Sequence, residues 1–258
     1  MDNWVGLVGL FVAGMVAGVM NSVAGGGSLV SFPMLVAFGE PAILANATNT
    51  AAMWPGSLSS ALAYSRDTQP NRALVLTLVL PSAIGGLLGA FALVVTPPDL
   101  FDRVVPFLVL FATLLFASRG LIDRLIKRDP NPESEERVTF LGRIWGFLFQ
   151  LFVATYGGYF GAGIGILMLG SLSIMGFTDI HRMNALKTIL ATLINLLAFF
   201  FFAAKGLVVW HLAILMAIGA IIGGYGGARL ARRIDQRVLH AFVIGVGLFV
   251  SVWLFTRI

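Results

Sequence analysis

Charged residues of this chain occur in short groups, and eight long stretches between them carry no Asp, Glu, Lys or Arg. These stretches are residues 3–39, 41–65, 73–98, 104–118, 144–178, 188–204, 206–228 and 238–256. Only 11% of the 258 residues are charged and 58% are hydrophobic, whereas soluble domains have about 25% charged residues. So few charges cannot cover a soluble fold, and so apolar a chain is not disordered. The sequence therefore predicts an all-α, polytopic membrane protein.

Composition and motifs give no support for catalysis, a cofactor or nucleic-acid binding. The chain has no cysteine and three scattered histidines, so we expect neither a metal site nor a thiol nucleophile. Its net charge of +5 comes from short basic groups between apolar runs rather than from a basic domain. A nucleotide-binding glycine loop needs a preceding strand, and no Walker lysine, metalloprotease or serine-elbow motif is present. We predict a protein that is not an enzyme.

The two halves of the chain repeat one pattern at an offset of 138 residues. The matched pairs are Asn46/Asn184, Ala47/Ala185, Thr50/Thr188, Gly25/Gly163, Gly27/Gly165, Gly85/Gly223, Gly86/Gly224 and Gly89/Gly227. One fixed period for all of them indicates an internal duplication. We predict a first membrane repeat at residues 1–118, a cytoplasmic linker with basic and acidic residues at 119–138, and a second membrane repeat at 139–258.

The first uncharged stretch of each half is too long for one membrane span. Residues 3–39 would form a helix of about 55 Å at about 1.5 Å per residue, whereas the hydrocarbon core is about 30 Å thick. Because glycine runs interrupt helices, we predict a break at residues 24–27 and a matching break within residues 157–165. Each broken stretch makes two crossings or a re-entrant hairpin, which gives about 8–10 membrane segments.

The positions of Lys and Arg predict the orientation in the membrane. Cytoplasmic loops are rich in these residues, and with the linker inside, all 17 Lys and Arg residues lie inside except Arg103, Lys205 and Arg257. Both termini are then extracytoplasmic, and the first segment, which lacks a basic start, stays in the mature protein. Each half crosses an odd number of times, so the second repeat is inverted, as in many secondary transporters.

The glycine breaks supply the first candidate binding residues. A helix that starts after a break offers unpaired N–H groups and a partial positive charge to an anion near the membrane midplane. Glycines in membrane helices also serve close packing, and we assign Gly85, Gly86, Gly223 and Gly224 to that role. The candidate binding glycines are Gly25, Gly26, Gly27, Gly161, Gly163 and Gly165.

Polar side chains beside the breaks and at the start of the next span form the second candidate group. They are Asn21, Asn46, Asn49, Thr50, Tyr156, Tyr159, Asn184, Lys187 and Thr188. Asn46 and Asn184 are alternatively helix caps, and the tyrosines are alternatively interfacial anchors. Lys187 carries the most weight, because a lysine within a membrane helix usually faces a cavity or a partner. Its alternative is to extend to the cytoplasmic surface.

Carboxylates are confined to the ends of the predicted spans. Glu40, Asp67, Asp99, Asp102, Asp179 and Asp235 all flank loops. The sequence therefore offers no evident proton or sodium relay. Export of an anion from a negative interior needs none, because each charge gains about 2.3 kcal/mol per 100 mV on leaving.

These candidate segments resemble the TauE/SafE family of sulfite and organosulfonate exporters. The resemblance rests on residues 21–27, Pro33, 39–41 and 45–49 in the first half, and on residues 156–165 and 184–188 in the second. It implies transport of small sulfur-containing anions such as sulfite, sulfoacetate or thiosulfate, usually outward across a bacterial inner membrane. Lys187 replaces Asn49 at the equivalent position, so the two halves are asymmetric, and the resemblance does not distinguish which half contacts the substrate.

We therefore predict a secondary transporter that exports a small sulfur-containing oxyanion and holds it with helix ends, Asn side chains and Lys187. Its expected partners are the small anion and the lipid bilayer, with no nucleic acid, and a homo-oligomer is left open. An anion channel or facilitator for another small anion is one alternative, and a membrane assembly protein without transport activity is another.

Overall fold

The computed structural model describes residues 3–23, 25–65, 72–125, 140–175, 180–230 and 236–256. These residues form ten α-helices and no strand. The helices are α1 (Asn3–Val23), α2 (Ser28–Phe38), α3 (Ala42–Ser65), α4 (Arg72–Val95), α5 (Pro98–Leu125), α6 (Phe140–Tyr159), α7 (Ile164–Ile174), α8 (Ile180–Ala204), α9 (Trp210–Leu230) and α10 (Gln236–Phe255).

Five of the described helices are long and apolar enough to cross a membrane. The spans are Trp4–Val23 in α1, Thr77–Val95 in α4, Pro98–Ser118 in α5, Arg182–Ala204 in α8 and Trp210–Leu230 in α9. Large apolar side chains also cover the outside of the bundle: Trp4, Phe107 and Phe249 are each at least 60% exposed. An apolar exterior of this kind is stable in lipid and not in water. The predicted polytopic helical membrane protein is confirmed.

Both predicted breaks are present. Among the described residues, 25–27 lie between α1 and α2, and 160–163 lie between α6 and α7. Each break contains two glycines in the left-handed region of φ, which L side chains rarely adopt: Gly25 and Gly26 at +84°, Gly161 at +78° and Gly163 at +77°. The two short helices, α2 and α7, have 11 residues each, about half of what a full span needs.

Helix α5 continues past the predicted repeat boundary at residue 118 and ends at Leu125. Its last turns alternate charged and apolar residues, a pattern that continues a helix beyond its apolar span. The rest of the predicted linker, 126–138, lies outside the described residues. So do several basic residues used for the orientation, which stays a prediction: Arg66, Lys127, Arg128, Arg137, Arg232, Arg233 and Arg257.

Glycines bring α1 against α9 and α4 against α6 at backbone distance. A methyl group added at Gly223 of α9 would overlap the carbonyl oxygen of Met15 in α1, and one added at Gly85 of α4 would lie 2.6 Å from the carbonyl oxygen of Leu151 in α6. Such close approach increases van der Waals contact between helices in a membrane. The packing role assigned to Gly85 and Gly223 is therefore confirmed.

The helices of the two sequence halves pack across one another. Besides α1 with α9 and α4 with α6, α3 packs against α8 and α5 packs against α10. Each of these four pairs takes one helix from the first half and one from the second. The predicted repeats therefore share one helical bundle.

Gly223 and Gly226 of α9 provide a matched test of this packing. Gly223→Ala places a methyl group on the Met15 backbone, whereas nothing lies within 4 Å of a methyl group added at Gly226. We expect Gly223→Ala to lower the free energy of unfolding by roughly 1–3 kcal/mol through overpacking. Gly226→Ala should be neutral or should stabilise by up to about 1 kcal/mol. Thermal unfolding of the detergent-purified variants measures both, and equal melting temperatures would contradict the packing.

Candidate functional site

The two helix breaks meet at one point inside the protein. A methyl group added at Gly25 would lie 3.0 Å from Cα of Gly165, and one added at Gly165 would lie 3.0 Å from Cα of Gly25. The break before α2 is therefore in backbone contact with the start of α7. Because α2 starts three residues after Gly25, at Ser28, this contact brings the two helix starts, which carry partial positive charge, near each other.

A small cavity lies at this meeting point. Its volume is about 30 Å³, which is room for about two water molecules. All of its lining residues are buried or half-buried, and they come from both breaks, from the first residues of α2 and α7, and from α1, α3 and α8. They are Asn21, Gly25, Ser28, Ser57, Gly161, Ile164, Gly165, Lys187, Thr188, Ala191 and Asn195.

Lys187 brings a positive charge to this cavity. Its side chain is only 1% exposed, and Nζ donates a hydrogen bond of 2.8 Å to Oδ1 of Asn184, three residues earlier on α8. The aliphatic part of the side chain packs along Gly165, where an added methyl group would lie 3.3 Å from Cδ of Lys187. The side chain therefore ends inside the protein, and the alternative of a lysine that reaches the cytoplasmic surface is wrong.

Asn21 and Tyr156 hold the two breaks in shape. Oδ1 of Asn21 accepts a hydrogen bond of 2.8 Å from the backbone N–H of Gly27 at the start of α2. The Tyr156 hydroxyl donates a hydrogen bond of 2.7 Å to the carbonyl oxygen of Ala162 in the second break. Asn21 also lines the cavity, whereas Tyr156 does not. The hydroxyl of Tyr156 is thus bonded within the break, which does not fit an interfacial anchor.

Asn46, Asn49 and Thr50 form a separate buried polar group in α3. Nδ2 of Asn46 donates 2.8 Å to the carbonyl oxygen of Tyr159, Asn49 accepts from the hydroxyl of Ser31, and Thr50 donates 3.0 Å to the Asn46 carbonyl. None of these three α3 residues lines the cavity. Because α3 starts at Ala42, Asn46 lies in its second turn and is not a cap.

Asn184 occupies the matching second turn of α8, which starts at Ile180, so the capping interpretation is wrong for both asparagines.

Six of the predicted residues line the cavity: Asn21, Gly25, Gly161, Gly165, Lys187 and Thr188. The others lie outside its lining: Gly26, Gly27, Asn46, Asn49, Thr50, Tyr156, Tyr159, Gly163 and Asn184. Asn184 nevertheless contacts the cavity lysine directly.

Three polar lining residues were missed by the sequence argument: Ser28, Ser57 and Asn195. Ser57 and Asn195 are separated by the same 138 residues as the other matched pairs. Asn195 is also a polar residue in the middle of an apolar helix, which is a signal for a function or a partner. Comparing polar residues of different types at this offset would have found both.

The cavity lies on the side of the second half. At the 138-residue offset, Ala191 corresponds to Met53 and Ser28 corresponds to Ile166. Met53 and Ile166 are almost completely buried, at 2% and 1% exposure. The cavity therefore has small residues, Ser28 and Ala191, where the place related to it by exchange of the two halves has the larger apolar residues Ile166 and Met53. The lysine, too, occurs only at the cavity.

Comparison with known proteins identifies the family. The profile of the family described as "Sulfite exporter TauE/SafE" matches residues 10–254. The chain belongs to the TauE/SafE family. The resemblance found in the sequence is confirmed, and this TauE/SafE protein is a multi-pass membrane transporter.

Several relatives of this TauE/SafE chain carry transporter names. A "Probable membrane transporter protein ORF9" of Sinorhizobium sp is 29% identical over 248 residues, which cover 94% of this chain and 90% of the relative. A "Probable membrane transporter protein" of Haemophilus influenzae is 26% identical over 236 residues, or 91% and 89% of the two chains. "Probable membrane transporter protein YfcA" of Escherichia coli K12 is 26% identical over 247 residues, or 94% and 87%. No solved structure matches the chain.

Single-cysteine variants test the burial of Lys187, since the chain has no cysteine of its own. Lys187→Cys places a thiol at a position with 1% exposure, whereas Lys205→Cys places one at an exposed position just after α8. We expect a bulky maleimide to label the folded Lys187→Cys variant much more slowly than the Lys205→Cys variant. Equal labelling rates would show that position 187 reaches the surface.

Proposed function

We propose that this TauE/SafE transporter exports a small sulfur-containing oxyanion, such as sulfite or an organosulfonate, and binds its sulfur–oxygen group in the cavity between the starts of α2 and α7. One observation carries this proposal: buried Lys187 lines a cavity formed by two helix N-termini. A buried ammonium and the N–H groups of helix starts both favour an anion. The sulfur chemistry comes from the family, whose description names sulfite.

The lining side chains supply the hydrogen bonds that an oxyanion loses when it leaves water. Asn21 and Asn195 carry amide N–H groups, and Ser28, Ser57 and Thr188 carry hydroxyl groups. The ammonium of Lys187 has three N–H groups, and Asn184 accepts from it and so fixes its position at the cavity wall. Charge-assisted hydrogen bonds of this type are roughly twice as strong as neutral ones.

The two halves act as inverted repeats in this proposal. The short helices α2 and α7 have equal lengths, and exchange of the halves converts the α1–α9 contact into α6–α4. Such exchange of equivalent contacts is expected when a transporter is built from a duplicated unit. Both termini then lie outside the cytoplasm, as the positive-inside rule predicts, and the membrane that the family resemblance implies is a bacterial inner membrane.

The membrane potential is the proposed driving force for export. The cavity lining that the structure describes contains Lys187 and no carboxylate. An anion that leaves a negative interior gains about 2.3 kcal/mol per charge and 100 mV. A carrier is favoured over an open channel because the lining residues are buried or half-buried, and an enclosed site must open to release its ligand.

Lys187→Met tests the proposed anion ligand, because methionine has an unbranched side chain of similar length but carries no charge. We expect sulfite affinity to fall at least about tenfold, since a hydrogen bond to a charged group contributes roughly 1.5–3 kcal/mol. The measurement is uptake of ³⁵S-sulfite into proteoliposomes under an imposed potassium-diffusion potential. Lys205→Met, at an exposed lysine, is the matched control.

The outcomes of this uptake experiment separate the alternatives. Saturable flux that follows the potential and weakens only in Lys187→Met supports the carrier. Flux without saturation identifies a channel. Unchanged affinity in Lys187→Met removes the lysine from the site, and no flux by folded wild-type protein under any gradient contradicts sulfite transport.

Ala191→Met tests the cavity itself. Methionine is the residue at the equivalent first-half position, Met53, and its longer side chain would occupy much of a cavity of about 30 Å³. We expect Ala191→Met to fold and to lose most sulfite flux, whereas Ala191→Ser should retain it. Full flux in Ala191→Met would place the anion elsewhere.

A further inference from the structure

The side-chain oxygen of Asn46 is a buried acceptor without a donor. Asn46 is 1% exposed, and its Oδ1 has no hydrogen-bond partner among the residues that the structure describes. The orientation of the amide is determined by its other atom, because Nδ2 donates to the carbonyl oxygen of Tyr159 and a carbonyl only accepts. An unsatisfied buried acceptor is unfavourable, so this oxygen needs a ligand.

The second half indicates which kind of ligand fits. Asn184 is the equivalent of Asn46 at the 138-residue offset, and its Oδ1 accepts from the ammonium of Lys187. The residue equivalent to Lys187 in the first half is Asn49, which carries no charge. In the second half, the side-chain oxygen of this asparagine therefore has a lysine cation beside it. In the first half, position 49 is an asparagine and supplies no cation to the equivalent oxygen.

The surroundings of Asn46 also favour a cation. Tyr159, whose carbonyl binds the Asn46 amide, is the last residue of α6, and the carbonyl end of a helix carries a partial negative charge. Asn49 lies three residues after Asn46 on the same face of α3, and its Oδ1 already accepts from Ser31. These ligands are neutral oxygens, which suit a hard monovalent ion better than a divalent one.

We propose that Oδ1 of Asn46, with the carbonyl end of α6, forms a Na⁺ site in which the ion takes the place that the Lys187 ammonium takes in the second half. Broken membrane helices commonly bind an anion at an N-terminal end and Na⁺ at a C-terminal end. This site contains no carboxylate, so the distribution of Asp and Glu in the sequence does not reveal it.

This Na⁺ site also regulates the anion site, a consequence that rests on the proposed function. Tyr159 ends α6 at the Na⁺ site, and Gly161, two residues later, lines the anion cavity. Two residues of chain span at most about 7 Å, so the two sites are neighbours, and opposite charges at neighbouring sites inside a low-dielectric bundle attract each other. Each ion therefore raises the affinity of the other by the same factor, typically about 5–150-fold.

Direct binding of ²²Na⁺ to the purified full chain in detergent tests the site without using the anion. Asn46→Ala removes the oxygen but also the hydrogen bond to the Tyr159 carbonyl. Loss of ²²Na⁺ binding in this variant therefore does not distinguish a lost ligand from a disturbed fold. Asn49→Lys is the sharper variant, because it leaves Asn46 in place and puts a lysine at the position equivalent to Lys187. Gln150→Met is the matched control, since Oε1 of Gln150 is also a buried acceptor without a partner among the described residues.

We expect saturable ²²Na⁺ binding by the wild-type chain and by Gln150→Met, and its loss in folded Asn49→Lys. Binding that survives in Asn49→Lys, loss of binding in Gln150→Met as well, or no ²²Na⁺ binding by the wild-type chain would overturn the Na⁺ site. The last result would leave a buried water as the ligand of Asn46.

A second measurement separates this site from the proposed function. Sulfite affinity is compared in NaCl and in N-methylglucamine chloride at equal ionic strength, and we expect at least about fivefold tighter binding in NaCl. Asn49→Lys should bind sulfite equally in both salts. Equal wild-type affinities in both salts contradict the Na⁺ coupling while the anion site stands. If the wild-type chain binds sulfite in neither salt, the anion site is contradicted. The ²²Na⁺ measurement then tests the Na⁺ site independently.

Discussion

The contact between Gly25 and Gly165 is the constraint on which the rest of this structure depends. Two broken helices inside a membrane protein expose backbone N–H and C=O groups, and such groups are tolerated only where protein buries them or where they line a cavity. Here the backbones of the two breaks touch, so each break helps to bury the other. Hydrogen bonds to Asn21 and from Tyr156 satisfy part of the freed backbone, and glycines let α1 pack closely against α9 and α6 against α4.

Asymmetry between the halves gives this junction its chemistry. Lys187 and Ala191 of the second half line the cavity, whereas their equivalents in the first half, Asn49 and Met53, do not. In the proposed function, a duplicated unit supplies two equivalent polar places, and divergence at a few positions makes one of them the anion site. The other then retains neutral oxygens, and Asn46 is the residue that still has an unsatisfied acceptor.

Much of the fold follows from local features of the sequence. The length of the first apolar stretch required a break, and the glycines placed it, because a left-handed φ is readily available only to glycine. The burial of Lys187 followed from the cost of a charge inside a membrane helix. The roles of Asn46 and Tyr156 did not follow from the sequence. Asn46 depends on the Tyr159 carbonyl at the end of α6 in the other half, and Tyr156 depends on the shape of the break that follows it. Ser28 and Ser57 are ordinary small residues in sequence, and only the packing of α2 and α3 brings them to the cavity.

An anomalous diffraction map of crystals grown with selenite, a heavier analogue of sulfite, tests the central claim most directly. We expect one strong selenium peak between the starts of α2 and α7, within hydrogen-bond distance of Nζ of Lys187. A selenium peak at another place in the bundle, with this cavity empty at saturating selenite, would contradict the assignment of the anion site.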